Sequence, residues 1–307
     1  MTSRRRLRKP AQTGAAKALR RRTRARTPRS ESPQVLSFED SQEIIPAISG
    51  PETSPFRKGR YVHVSDLIYK CVRQMAMADK ISAPMPDQII HASQGITFQL
   101  GHAVEDYIIR RAKTKSASTL WGTFRCACKK LEFVGTYKQA KKSPKCVRCE
   151  QPAEEYTELT LANEELMIVG NVDLVFKEDD HFILCELKSI ADKGWKELER
   201  PMPEHKVQIL MYWWMARELG LPLYDKVSIL YANKQYLFGS SPYKEFVINP
   251  SLELRHIEEY LDDARAYMEY RETGTLPPRL QCPHKDYRKA KDCHISNECF
   301  EYEPIRD

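Results

Sequence analysis

Asp173, Glu186 and Lys188 are the residues whose types and spacing most clearly suggest chemistry. They stand in the runs Asn171-Val172-Asp173-Leu174-Val175 and Leu184-Cys185-Glu186-Leu187-Lys188-Ser189. Side chains alternate along a strand, so Glu186 and Lys188 face one side and Ile183, Cys185 and Leu187 face the other, into a core. An acid and an amine held among apolar residues need a reason to be there. Asp173 precedes them by one hairpin, with Lys177-Glu178-Asp179-Asp180-His181 as the turn, and can meet Glu186 across the sheet. Two carboxylates this close repel unless a cation lies between them. All-oxygen ligation suits Mg2+ or Mn2+, which can activate water and stabilise charge at a phosphoryl centre. Lys188 would orient or help deprotonate the water, or neutralise the phosphate. A surface hairpin with an ordinary salt bridge uses the same three residues.

Gln208 and Tyr212 are spaced i, i+4 and share one helix face. An amide and a phenol can both hydrogen-bond to phosphate. Nine cysteines are present. Cys126-x-Cys128 and Cys146-x-x-Cys149 bracket a lysine-rich loop, and four thiolates in two close pairs suit a structural Zn2+. Lys129, Lys130, Lys138, Lys141, Lys142, Lys145 and Arg148 surround them and could grip a phosphate backbone or simply form a solvated rim. Cys71 stands alone, and Cys282, Cys293 and Cys299 lie near the C-terminus. The parity of Cys185 on its strand marks it as core. An odd count without an export signal points to metal ligation in a reducing compartment rather than to a disulfide framework.

These residues need elements to position them. Ser65 suits the N-cap of a helix through about Ala78, with Cys71 in its middle and Pro84 and Pro86 ending the region. A second helix is expected from about Ser93 to Arg111, with Ile96, Leu100, Ala103 or Val104, Tyr107 and Ile108 as its stripe and Gly101, His102, Glu105 and Ile109 on the other side. Residues 120–156, rich in lysine and cysteine, read as a small insert held by metal. Strands follow at Glu158 to Leu161, Leu166 to Phe176 and Phe182 to Ser189. A helix from Glu204 to Leu219 closes at Gly220 and Pro222. Further strands are expected at Val227 to Ala232 and Glu245 to Ile248, with Tyr236 to Phe238 between them, then a helix from Glu253 to about Tyr270. That order gives an α/β fold with a mixed central sheet flanked by helices.

The chain has 307 residues and a formal net charge of +7. Residues 1–60 carry 15 Lys+Arg against 5 Asp+Glu, with twelve basic residues and no acid from Arg4 to Arg29. The basic excess therefore belongs to an N-terminal arm, expected to be disordered and able to hold nucleic acid by charge or to act only as a solubilising tail. A hydrophobic fraction of 41% excludes a wholly disordered chain. No apolar run is long enough for a transmembrane helix, and no h-region follows the basic start, so membrane and secreted classes are not expected.

With these residues in place, the sequence resembles the PD-(D/E)XK nuclease superfamily. Asp173 matches the first acid, with Val172 where a proline is usual, and Glu186-Leu187-Lys188 matches the (D/E)-x-K segment. Gln208 and Tyr212 resemble the Q-x-x-x-Y motif of the RecB-like and λ-exonuclease-like branches, and Gly101-His102-Ala103-Val104-Glu105 resembles their G-x-x-x-E or G-x-x-x-H segment. The resemblance implies a restriction-endonuclease-like core over residues 61–307. Glu105, or His102 in its place, would join Asp173, Glu186 and the Leu187 carbonyl as metal ligands. It implies that Gln208 and Tyr212 position DNA or water. Trp195, Trp213 and Trp214 could stack on bases or anchor the core. Iron–sulfur nucleases of the CRISPR-associated and AddB-like kind carry one cysteine before the motifs and three after. By that resemblance Cys71, Cys282, Cys293 and Cys299 would hold a [4Fe–4S] cluster, with zinc as the other possibility. The Cys126, Cys128, Cys146 and Cys149 module resembles a zinc ribbon. The implied activity is a Mg2+- or Mn2+-dependent DNA exonuclease acting on single-stranded or end-containing DNA. Replication, recombination or repair proteins would be its partners, in the cytoplasm of a prokaryotic or phage-infected cell. A structure-specific endonuclease, or an inactive DNA-binding or assembly protein on the same fold, are the rival readings.

Overall fold

The computed structural model describes residues 61–81, 92–235, 241–279, 284–291 and 295–301, with Leu36, Ser37, Cys282 and Cys293. Two compact units divide at Gln34, and every described residue lies in the second, Val35–Asp307. Most of the basic arm of residues 1–60, the prolines at 84 and 86, and the segment Tyr236 to Phe238 fall outside the described residues.

After β1 (Leu36–Ser37), β2 (Val62–His63) leads into α1 (Val64–Tyr69) and α2 (Val72–Lys80). One helix through Ala78 was the expectation from sequence; two are present. Lys70 and Cys71 are both extended, so the chain breaks between them. Cys71 is the N-cap of α2, and its Sγ accepts the Gln74 N–H at 3.2 Å. A thiol can fill an orphan-donor position that oxygen caps usually take. The break moves Cys71 from a helix flank to a helix end.

Next come α3 (Ala92–Lys115), β3 (Leu120–Arg125), β4 (Leu131–Thr136), α4 (Tyr137–Ala140), β5 (Glu155–Thr157), β6 (Leu159–Asn163), β7 (Ile168–Val172), β8 (Leu174–Glu178) and β9 (His181–Ile190). Then follow α5 (Asp192–Glu197), α6 (Pro203–Glu218), β10 (Leu223–Asn233), β11 (Tyr243–Ile248), α7 (Glu258–Thr273), α8 (Arg288–Lys291) and α9 (Ser296–Glu301). Two short 3-10 turns, Pro250–Leu252 and Leu254–His256, occupy the start expected for the last long helix.

The main sheet runs β1-β4-β3-β8-β9-β10-β11, with β5 also on β3; a smaller sheet runs β2-β7-β6. The span 120–156 is thus more than a metal clip, because β3, β4 and β5 are strands of the main sheet. Inside it, Arg125 and Glu132 form a buried ion pair on neighbouring strands. β9 and β10 are parallel, which requires a crossover, and α5 with α6 supplies it. The larger core gathers Leu67, Ile168, Val172, Leu184, Ile209, Leu210 and Tyr231 between α6 and the two sheets. A second core includes Ile108, Leu120, Phe124, Leu174, Cys185 and Leu187 on the side of α3. Both faces of β9 are covered, so its middle reads as a buried run instead of a clean alternation. The three tryptophans belong to this packing. Trp195 and Trp213 are buried, and half-buried Trp214 packs on the core, which assigns them to structure and away from base stacking.

Candidate active site

Asp173 is the residue at which the chain leaves the small sheet for the large one, between the end of β7 and the start of β8. It lies one position beyond the Leu174–Cys185 pair of β8 and β9, and is therefore opposite Glu186. Its Oδ2 accepts the Leu187 N–H at 2.6 Å. Glu186, 1% exposed, and Lys188 share a face of β9 as strand parity requires, with Lys188 Nζ 2.6 Å from Glu186 Oε1. The other oxygen, Glu186 Oε2, is buried with no hydrogen-bond partner. An orphaned, buried carboxylate oxygen is costly. It is also what a cation ligand looks like.

Glu105 reaches the same place from α3. Gly101, one turn earlier, lets that helix approach the end of β9: a Cβ there would stand 3.2 Å from Ser189 Oγ. Glu105 and Lys188 line one cleft of about 210 Å3 together with His102 and Lys234. His102 is largely exposed, its Nδ1 3.8 Å from Glu105 Oε2, and it stands at the rim outside the carboxylate cluster. A residue not singled out from sequence, Glu158, completes that cluster. Ligand oxygens of Glu105, Glu158 and Asp173 all lie within 4.8 Å of one another. Two full charges at that separation repel by about 3 kcal/mol at an effective dielectric near 20.

The titration behaviour carries the mark of this crowding. Burial, then Glu186 and Glu158, raise Asp173 well above the ordinary carboxylate range, against Lys188 and the Leu187 N–H. Burial, then Glu105 and Glu186, push Glu158 up to about 7. Burial likewise raises Glu186, opposed by Lys188 and reinforced by Glu105. Burial alone would lower the Lys188 amine, but Glu186 and then Asp173 outweigh it and hold it above its usual value. Lys188 is therefore an ammonium, the internal counterion of the acids. A divalent cation is the chemical complement of such a site.

Gln208 and Tyr212 do share a face of α6. Gln208 Nε2 donates to the Tyr212 hydroxyl at 2.8 Å, and both side chains are buried. Burial, then Glu186, hold that phenol well above its ordinary value, so the hydroxyl stays protonated beside the carboxylates. Gly170 on β7 makes room for it, since a Cβ there would lie 2.2 Å from Tyr212 Cε1. Two further neighbours had no signal in the sequence. His205 Nδ1 sits 2.9 Å from the Tyr231 hydroxyl, and burial and then Lys188 lower its pKa to about 4, so it is neutral. Tyr69, 60% exposed at the end of α1, feels the charges of Lys188, Glu204 and Glu186.

The two cysteine groups are both free of disulfides. Cys126, Cys128, Cys146 and Cys149 bring one sulfur each within 4.8 Å of the others. Backbone N–H groups of Gln151 and then Cys128 lower Cys149, while burial raises its neighbour Cys128 in the same group. The basic residues around this module, from Lys129 to Arg148, are exposed. Cys71, Cys282, Cys293 and Cys299 line a separate cavity of about 540 Å3 between α2, α7 and the C-terminal segment. Burial pushes Cys71 up to about 11, and the other three thiols add to that. These four cysteines share one cavity wall, but among the described residues only the Cys126, Cys128, Cys146 and Cys149 sulfurs come within 4.8 Å of one another.

Among known structures, the chain is similar to the crystal structure of SSO0001 at 14% identity, covering 67% of this chain and 77% of that one with a TM-score of 0.34. It is similar at 13% identity to an alkaline exonuclease, LHK-Exo, from Laribacter hongkongensis, covering 72% and 96% with a TM-score of 0.35. No curated protein matches. A sequence model of the PD-(D/E)XK nuclease superfamily matches residues 70–299, a span that holds Glu105, Asp173, Glu186, Lys188, Gln208 and Tyr212, and the chain belongs to that superfamily.

Proposed function

We propose that this protein is a divalent-metal-dependent deoxyribonuclease, acting as an exonuclease on single-stranded or end-containing DNA. The observation that carries the reading is the convergence of Glu105, Glu158 and Asp173 oxygens within 4.8 Å, with buried Glu186 opposite Asp173 on the next strand and the Lys188 ammonium against it. Glu105, Asp173, Glu186 and the Leu187 carbonyl would hold Mg2+ or Mn2+. When bound, the ion would lower the pKa of water and offset charge on the phosphoryl oxygens. Lys188 donates hydrogen bonds to the attacking water or the scissile phosphate. The Tyr212 hydroxyl, its lone pair taken by Gln208, donates to a phosphate oxygen and fixes the strand. Exposed Tyr69 at the rim offers a ring to an unstacked base.

In this reading residues 61–307 form the nuclease domain, and the arm of residues 1–60 and the module within 120–156 supply positive surface. Cys126, Cys128, Cys146 and Cys149 bind Zn2+. Cys71, Cys282, Cys293 and Cys299 bind a [4Fe–4S] cluster that ties α2 to the C-terminal segment, where Met77, Ile295 and Cys299 already pack together. Nine free thiols suit a reducing cytoplasm, and DNA replication or recombination proteins are the natural partners. Among the described residues no helix is long and apolar enough to cross a membrane.

The test uses end-labelled linear and circular single-stranded DNA with Mg2+ or Mn2+. Cleavage of linear DNA alone, lost in Glu186→Ala and Lys188→Ala, is the expected result. Cutting of circles makes the protein an endonuclease. DNA binding without metal-dependent cleavage overturns the enzyme reading. Anaerobically purified protein should be brown and contain iron; colourless protein with zinc alone would replace the cluster by zinc.

A further inference from the structure

Glu158 belongs to none of the segments matched in the sequence analysis, yet it stands inside the carboxylate cluster. It is the single residue between β5 and β6, where the chain crosses from the large sheet to the small one. The register of the small sheet fixes what it meets. Leu159 pairs with Val172, so the next position brings Glu158 opposite Asp173. Its oxygen comes within 4.8 Å of both Glu105 and Asp173, and it is close enough to Glu105 for the two carboxyls to share a hydrogen bond. Among the described residues no lysine or arginine forms an ion pair with it.

A second observation points independently to a ligand. Glu186, 1% exposed and opposite Asp173 in the register of the large sheet, keeps a buried oxygen with no hydrogen-bond partner, and its charge acts on Glu158 and Asp173. Lys188 already occupies the other Glu186 oxygen. Four carboxylates outnumber the Lys188 ammonium and the Lys234 ammonium on the cleft wall, and a divalent ion with oxygen ligands is what meets that shortage. We propose that Glu158 is itself a ligand of the divalent cation, donated from the edge of the small sheet opposite the Asp173 side chain. The proposal rests on the nuclease reading in that the same ion serves the hydrolysis.

Mn2+ is the appropriate probe, because it prefers oxygen ligands and the cysteine sites prefer softer metals. Full-length protein, with its cysteine-bound metals as purified, is titrated with Mn2+ and the free ion followed by electron paramagnetic resonance. Removing a residue that only supports a ligand costs roughly ten- to a hundredfold in metal affinity. Glu158→Gln should therefore weaken Mn2+ binding by at least about tenfold. Glu158→Asp, with its charge on a shorter arm, should fall between parent and Gln. Without Mn2+, Glu158→Gln should melt at or above the parent temperature, because repulsion from Glu105 and Asp173 is relieved. Parental Mn2+ affinity in Glu158→Gln, while Glu186→Gln loses it, overturns the Glu158 assignment and leaves the nuclease reading standing. A Glu158→Gln protein that melts well below the parent without Mn2+ makes the residue structural and also overturns the assignment. Failure of the parent to bind Mn2+ at all overturns the cation site, and the nuclease reading with it.

Discussion

Gly170→Ala is a one-methyl change with a large expected effect. An added Cβ would lie 2.2, 2.9 and 3.2 Å from three ring carbons of Tyr212. Carbon atoms pack at about 3.5–4.0 Å, so the ring or the strand must move by roughly 1.3 Å or more. Neither is free to do so. The ring is 4% exposed on α6 between Met211 and Trp213, and its hydroxyl is held by Gln208. The strand is paired on both edges, with β6 and with β2. Overpacking of this kind costs about 1–3 kcal/mol, and displacing the Gln208–Tyr212 hydrogen bond adds about 1 kcal/mol. A total near 2–4 kcal/mol lowers the melting temperature of a domain this size by roughly 4–16 °C. Thermal or urea unfolding of the single variants and of Gly170→Ala/Tyr212→Ala gives the coupling directly. With the ring gone, the added methyl should cost less than about 0.5 kcal/mol. The reasoning fails if Gly170→Ala alone costs under about 0.5 kcal/mol, or costs the same with and without the tyrosine ring.

The raised carboxylates make stability and metal affinity depend on pH in opposite directions. Glu158 sits at about 7 in the fold, against about 4.3 in an unfolded chain, so between those values the folded state binds the extra proton. Without added divalent ion, this group's contribution to stability therefore falls as pH rises from about 4.3 to 7, and Asp173 and Glu186 act with the same sign. Apparent Mn2+ affinity should climb over the same window as protons leave and flatten above about pH 7; a pH-independent affinity would contradict the cluster. At the cysteine module, Cys149→Ser should destabilise the protein by as much as ~4 kcal/mol in calorimetry. It should also weaken Mn2+ binding, because β5 ties the module to Glu158.

Much of this was legible in residue types because local rules act without tertiary help. Strand parity alone puts Glu186 beside Lys188 and Cys185 in the core, and the i, i+4 rule alone brings Gln208 to Tyr212. The helix break at Cys71 was not legible. Lys70 and Cys71 carry no proline or glycine, and a cysteine cap sends no signal that a serine or aspartate would. The contribution of β3 and β4 to the main sheet was masked by the lysines and cysteines that follow them, although Leu120, Phe124, Leu131 and Phe133 supply a buried face.

Glu158 and Asp173 occupy the two single-residue links, β5 to β6 and β7 to β8, where the chain passes directly from one sheet to the other, side by side. Asp173 is reached by two registers at once, with Glu186 across β8 and β9 and Glu158 across β6 and β7. Both partners follow from the lengths of two hairpin turns, Glu164 to Met167 and Asp179 to Asp180, and from nothing else in the local sequence. Inserting one residue in either turn would shift one register by a single position. That would carry one partner to the far face of its strand and leave the other in place. A cation site assembled from two independently registered hairpins gains its ligands through turn geometry. The motif spelling alone records only one of those two hairpins, so an acid on the other can join the site without leaving a mark in the family pattern.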